Sequence, residues 1–423
     1  MDILISNILA SLPDGVRVCS VYIKDGIIAG IDEKPEGFAP EKTINGSGFL
    51  LIPGLVNAHT HSYMALFRNC ADDLTFNDWL FGRVMPLEDN LDDDACYWGT
   101  LLAISEMLST GTTAFLDMIM FMDAAARAAS ESGIRAVLSR GLSGDCDEDS
   151  GGFRRLREAD SAIRAWAGHE NITFMIGPHA PYTCTESYLR LAGETAKKYG
   201  LPVTIHLAES ANEMETVRRD FGCSPIELAD RCGLLDEKCV AAHCVHLSDS
   251  DIALLKERGV TVATNPVSNM KLANGFAPVP KLLKAGVKVA LGTDGAASNN
   301  TFNMFRELSA LTLVHKGVTG DPQAVTAREA LKIATVNGAR ALGLNSGEIS
   351  VGMNADLAII DLDRPNMQPV NDPLSALCYS ASGYETDTVI VGGRVLMEKG
   401  KLLTIDTGRV YAECARICER IGL

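Results

Sequence analysis

The sequence predicts an α/β fold: a (β/α)8 TIM-type barrel with a small β-sandwich domain built from both chain ends. Three observations carry that expectation. Short apolar runs alternate with helical stretches eight times through the middle of the chain. Strand-like texture recurs at both ends. No Gly-x-Gly-x-x-Gly turn follows the first strand, which disfavours an open doubly wound sheet. At about 150 residues per domain, 423 residues suggest three domains, but such a barrel takes about 250 as one.

The elements follow in order. Residues 1–9, 16–23 and 27–31 carry β-branched side chains and are separated by Pro13-Asp14-Gly15 and Lys24-Asp25-Gly26, so they read as strands. Eight apolar runs come next, at 51–58, 112–117, 135–138, 172–176, 202–205, 240–242, 260–263 and 287–291. Between them lie helical segments with i, i+3, i+4 spacing, such as 96–108, 186–198 and 249–258. Residues 356–361 and 388–395 return to strand character, with Gly392-Gly393 a turn or bulge signal, and 410–421 reads as a closing helix. Neither strand-rich end is large enough to bury a core alone. The expected division is therefore 1–55 with 346–423 as the small domain, including its C-terminal helix, and 56–345 as the barrel.

Composition narrows the function. With 38 basic and 54 acidic residues the formal charge is −16, and the isoelectric point near 5.0 leaves no basic field for a phosphate backbone. Nucleic acid is excluded as a partner, and a negative field favours neutral or cationic small molecules. No apolar run approaches the roughly 18 residues of a membrane span, and Met1-Asp2-Ile3-Leu4-Ile5 lacks a basic leader region. The 12 cysteines are dispersed with no CxxC pair, which fits reduced thiols. A cytoplasmic enzyme without a membrane partner is expected.

Eight histidines carry most of the chemistry. His59 and His61, two apart at the end of the first barrel strand, face the same side. His206 ends the fifth strand, His243 the sixth and Asp294 the eighth, each where a βα loop begins on the catalytic face of a barrel. Alone, each has a bland reading: a chance HxH, a core histidine, a helix cap. Five metal-compatible groups at four independent strand ends outweigh those readings. Nitrogen ligands with one carboxylate suit zinc or a similar divalent transition ion. The fourth strand holds no Lys or Glu to bridge two ions, so one metal ion per subunit is expected, held by His59, His61, His206 and Asp294. Glu209 lies three residues beyond His206, placed to shuttle a proton without ligating; the alternative is an exposed acid opening a helix at 209–218. His243 is expected to orient the attacking oxygen, and His246 is assigned to structure.

Longer runs refine the picture. They are Pro53-Gly54-Leu55-Val56-Asn57-Ala58-His59-Thr60-His61, Trp79-Leu80 with Pro86-Leu87-Glu88, Ser139-Arg140-Gly141-Leu142, and Gly177-Pro178-His179-Ala180-Pro181-Tyr182. Further on come His206-Leu207-Ala208-Glu209, Ala242-His243-Cys244-Val245-His246-Leu247, Asn265-Pro266 through Asn269-Met270-Lys271-Leu272, and Gly292-Thr293-Asp294-Gly295-Ala296-Ala297-Ser298-Asn299-Asn300. Together these motifs resemble the amidohydrolase superfamily over essentially the whole chain. The finer pattern is similar to the 5-methylthioadenosine/S-adenosylhomocysteine deaminase family and the archaeal 5′-deoxyadenosine deaminases. The resemblance implies hydrolytic removal of ammonia from C6 of adenine in a 5′-substituted adenosine, leaving the inosine derivative. It implies a metal-generated hydroxide, Glu209 delivering a proton to the ring nitrogen, and His243 with Asp294 acting on the attacking oxygen. It further implies that Glu88 binds the ribose hydroxyls, His179 sits near purine and ribose, and Arg140 meets the far end of the 5′ substituent. Trp79 is a pocket wall or a packing residue, Arg140 could be a plain ion-pair partner, and Arg154 and Arg155 either reach a homocysteine carboxylate or are solvated. Relatives of this kind are commonly homo-oligomers. The alternatives are a superfamily deaminase or chlorohydrolase acting on guanine, cytosine or a triazine, and a barrel that has lost its chemistry.

Overall fold

The computed structural model of the protein describes residues 1–423. Eight parallel strands form the barrel: Leu55–His61, Thr112–Ile119, Arg135–Leu142, Ile172–Phe174 continued by Gly177–Pro178, Thr204–Leu207, Val240–His243, Thr261–Thr264, and Lys288–Leu291 continued by Asp294–Gly295. Each pairs in parallel with the next, strands four and five through the Ile176–Val203 bridge. The ring closes where Asp294 and Gly295 pair with Thr60 and His61. Both faces of each strand are covered, so the strands are apolar almost throughout. Val56, Ala58, Ala114, Leu116, Val137, Val240, Ala263 and Ala290 fill the lower interior, and larger clusters lie outside between strands and helices.

The apolar run at 51–58 belongs to two strands, not one. Phe49–Pro53 joins the small sheet and Leu55–His61 enters the barrel, divided at Gly54. A β-carbon at Gly54 would lie 2.1 Å from the Thr113 hydroxyl, so only glycine lets the chain cross from one sheet to the other. A second irregularity lies further along. Asn57 pairs with Phe115 but Thr60 with Asp117, so one extra residue bulges between them. That bulge exchanges the inward parity from Val56 and Ala58 to His59 and His61, aiming both imidazoles into the barrel mouth.

The chain ends meet in one β unit: Leu357–Asp361 pairs antiparallel with Phe49–Pro53. The sandwich expected from sequence is a continuous nine-stranded sheet, closed over a core that includes Ile3, Ile5, Val21, Leu51, Leu357 and Ile390. The run expected at 388–395 is a hairpin, Thr386–Val391 and Arg394–Glu398, turning at Gly392-Gly393 with φ of 53° and 72°. The last helix, Thr407–Ile421, packs Val410, Cys414, Ile417 and Ile421 into the same cluster as the barrel helix Asp93–Ser109. No helix is long and apolar enough to cross a membrane.

Candidate metal centre and active site

The C-terminal strand ends bring His59, His61, His206, His243 and Asp294 together. His59 Nε2 and His61 Nε2 stand 3.5 and 3.4 Å from Asp294 Oδ1, and His61 Nε2 is 3.2 Å from His206 Nε2. Two overlapping triads, His59–His61–Asp294 and His59–His206–His243, each keep their ligand atoms within 4.8 Å.

The surrounding bonds decide what these atoms can do. His61 Nδ1 lies 2.8 Å from the Met118 carbonyl and His206 Nδ1 2.6 Å from the His179 carbonyl. A carbonyl only accepts, so each Nδ1 carries the proton and each Nε2 presents a lone pair. Two facing lone pairs 3.2 Å apart repel unless a cation lies between them. His59 Nε2, fully buried, finds no hydrogen-bond partner. Burial lowers His59 to about 4 and holds His206 well below its ordinary value, so both are neutral near pH 7. Asp294 Oδ2 accepts from the hydroxyls of Ser268 (2.7 Å) and Ser298 (2.8 Å), leaving Oδ1 toward the imidazoles. This donor set fits a divalent transition ion.

Ala208, His243 and Asp294 adopt left-handed backbone conformations, φ 51°, 71° and 63°, where strands five, six and eight break into their loops. The turn at Ala208 swings Glu209 back over the cluster. Glu209 is only 4% exposed, with Oε1 3.9 Å from His243 Nε2 and 3.3 Å from the donating Asn274 Nδ2. Burial, with the Asp294 charge, pushes its carboxyl well above the usual range. The helix expected at 209–218 begins at Ala211, capped by Ser210, so Glu209 lies outside it. His243 Nδ1 bonds Asn269 Oδ1 at 2.9 Å, which turns Nε2 toward Glu209.

A cavity of ≈ 350 Å³ opens above this cluster, lined among others by Trp79, Glu88, Arg140, Arg155, His179 and Glu209. That volume suits a small molecule. Trp79 both walls the cavity and packs, donating its indole N–H to the Ala297 carbonyl. Arg140 faces the cavity while pairing with Glu158 through Nε at 3.0 Å, so its two readings coexist. Arg155 reaches the wall, tied to the Ser143 and Ser150 carbonyls; Arg154 is exposed on Glu158 and does not. His246 lies off the cavity. Sequence reading did not single out Tyr63, Glu213 or Asn274, and gave no role to Ser268, Asn269 and Ser298, which lie within the motif runs. Two had a signal: Glu213 and Ser298 each follow a site residue by four, one helical turn away.

A barrel that gathers imidazoles and a carboxylate around one point at its catalytic face, beside a buried glutamate, defines a metal-binding hydrolytic enzyme. The chain belongs to the amidohydrolase family, whose model matches residues 50–396. It is 45% identical to a 5-methylthioadenosine/S-adenosylhomocysteine deaminase of Acetivibrio thermocellus over 100% of both chains. It is 42% identical to a 5′-deoxyadenosine deaminase of Methanosarcina mazei, over 99% of this chain and 98% of that one. Among solved structures it resembles an adenosine deaminase of Xanthomonas campestris with bound zinc, at TM-score 0.94 and 33% identity, covering 99% and 98% of the two chains. A zinc complex of atrazine chlorohydrolase from Arthrobacter aurescens shares the fold at TM-score 0.91 and 24% identity, covering 98% and 100%.

Proposed function

We propose that the protein deaminates C6 of adenine in 5′-substituted adenosines, 5′-deoxyadenosine, S-adenosylhomocysteine, 5′-methylthioadenosine and adenosine among them, using one zinc ion. His59, His61, His206 and Asp294 would hold the ion, which when bound supplies a hydroxide nucleophile from water at neutral pH. Glu209 takes the proton released from the attacking water and passes it to N1, the ring nitrogen beside C6, relieving the negative charge that builds there. His243, fixed by Asn269, orients that water, and Asp294, whose Oδ1 faces the ligand imidazoles, acts on the same oxygen. The second proton of the attacking water passes from the new C6 hydroxyl to the amine, which leaves as ammonia as the C6 carbonyl of the inosine forms. Glu88 accepts from the ribose hydroxyls, His179 borders purine and ribose, Trp79 walls the nucleoside, and Arg140 meets the 5′ substituent.

The observation that supports this reading most is the joint position of Glu209 and the ligand cluster under a cavity that Glu88 and Arg140 also line. A bare base has no ribose or 5′ substituent to reach those two charged groups, which argues against guanine, cytosine or a triazine. Glu209→Gln keeps the ligand set and removes the shuttle. Metal content should stay at the wild-type level while turnover, followed by loss of the adenosine absorbance band and release of ammonia, drops about 10²–10⁴-fold. Full activity in that variant would refute the shuttle role.

A further inference from the structure

We propose that Tyr63 determines specificity for the ribose: its phenol positions Glu88 to accept from the 2′ and 3′ hydroxyls, which separates ribonucleosides from their dideoxy counterparts. The inference rests on the nucleoside reading above and adds a residue to it.

Tyr63 follows the metal-binding strand by two residues, in the tight turn Ser62–Phe67. It is 4% exposed and lines the cavity beside His61. Its hydroxyl donates to Glu88 Oε1 at 2.5 Å, the single protein hydrogen bond that Glu88 side-chain oxygens receive. The two partners differ in rigidity. Ser62 donates its N–H and hydroxyl to Asp117 and bonds Thr100, and Gly99 lets the Tyr63 backbone approach so closely that a β-carbon there would lie 2.8 Å from its carbonyl. Glu88 instead ends the four-residue helix Met85–Glu88, whose Met85 is 41% exposed and whose neighbour Asp89 is also exposed. The fixed phenol therefore holds the less constrained carboxylate.

A carboxylate offers about four lone-pair positions. With one occupied by Tyr63, both oxygens retain room for the vicinal hydroxyls, and the plane of the group is set by the bond already made. A phenol also stabilises the ionised carboxylate, the form that accepts from both hydroxyls. A phenol carries its proton at neutral pH and hence acts as the donor to the carboxylate. Without it, Glu88 would be a half-buried carboxylate with no donor from the protein, free to turn and readier to take up a proton.

The test compares wild type, Tyr63→Phe and Glu88→Gln as metal-loaded enzymes, on adenosine and on 2′,3′-dideoxyadenosine. Metal content and Tm establish that each variant is folded; the tyrosine change removes one oxygen and no packing volume. Y63F should raise KM for adenosine roughly tenfold, leave kcat within about twofold, and leave dideoxyadenosine kinetics unchanged, so discrimination falls roughly tenfold. The acid limb of the adenosine KM profile should also move to higher pH in Y63F, a shift that general loosening of the pocket would not produce. If E88Q loses discrimination while Y63F keeps both the ratio and the pH limb, the Tyr63 assignment is overturned and the nucleoside reading stands. If E88Q keeps wild-type discrimination, Glu88 does not read the ribose and the inference falls with that reading.

Discussion

Asp294 illustrates how much a single residue's role depends on the groups behind it. Two serine hydroxyls, from the short helices after strands seven and eight, bond one of its oxygens and leave the other for the imidazoles. Removing both donors frees the carboxylate to rotate and leaves a buried oxygen unbonded. Ser268→Ala with Ser298→Ala should therefore speed metal loss to a chelator, weakening retention about 10–100-fold. Retention at the wild-type rate would show that backbone strain alone holds Asp294. At this scale the sequence was informative where spacing is local. The His59–His61 pair and the HxxE run could be read directly, whereas Ser268, 26 residues before Asp294, and Tyr63, 25 before Glu88, left no local pattern.

Among the elements, buried carboxylates brace the strand ends. Asp117 accepts from Thr60 and Ser62, on either side of His61. Glu213 accepts the N–H groups of Ala208 and Glu209. Glu307, on the helix Met304–Thr319, accepts from Val267 and Asn299, the neighbours of the two serines on Asp294. The same helix carries His315, only 4% exposed, and burial lowers it from 6.5 to about 4. A base depressed in the folded state contributes stability that is complete above about 6.5 and is lost as the pH falls through about 4. Wild type should therefore weaken over that window by up to about 3 kcal/mol from this residue. His315→Leu should be flatter there, as denaturant unfolding at pH 7 and pH 4.5 would measure; parallel curves would sink the assignment. Helix and strand periods made these elements legible in outline. The bulge between Asn57 and Thr60 was not, because its cause is pairing with a strand more than fifty residues away.

Across the whole molecule, one buried ion pair joins the two units. Arg135, opening the third barrel strand, bonds Asp356 Oδ2 through Nε at 2.7 Å, and Asp356 Oδ1 accepts the Gly392 N–H in the small sheet. Asp356→Ala strands a guanidinium and an amide together, so unfolding free energy should drop by about 3–5 kcal/mol. A loss below about 1 kcal/mol would mean that water replaces the carboxylate freely. Sequence by itself determined the (β/α)8 architecture, the union of the two ends and the residue types able to bind a metal, because each rests on short-range periodicity and on chemistry that side chains carry anywhere. Only the tertiary structure decided that the ends share one continuous sheet, that the last helix packs on the barrel, that two imidazoles turn bare nitrogens toward one point, and that a tyrosine holds Glu88. Those outcomes depend on distances between segments remote in the chain, which close packing sets and local patterning does not encode.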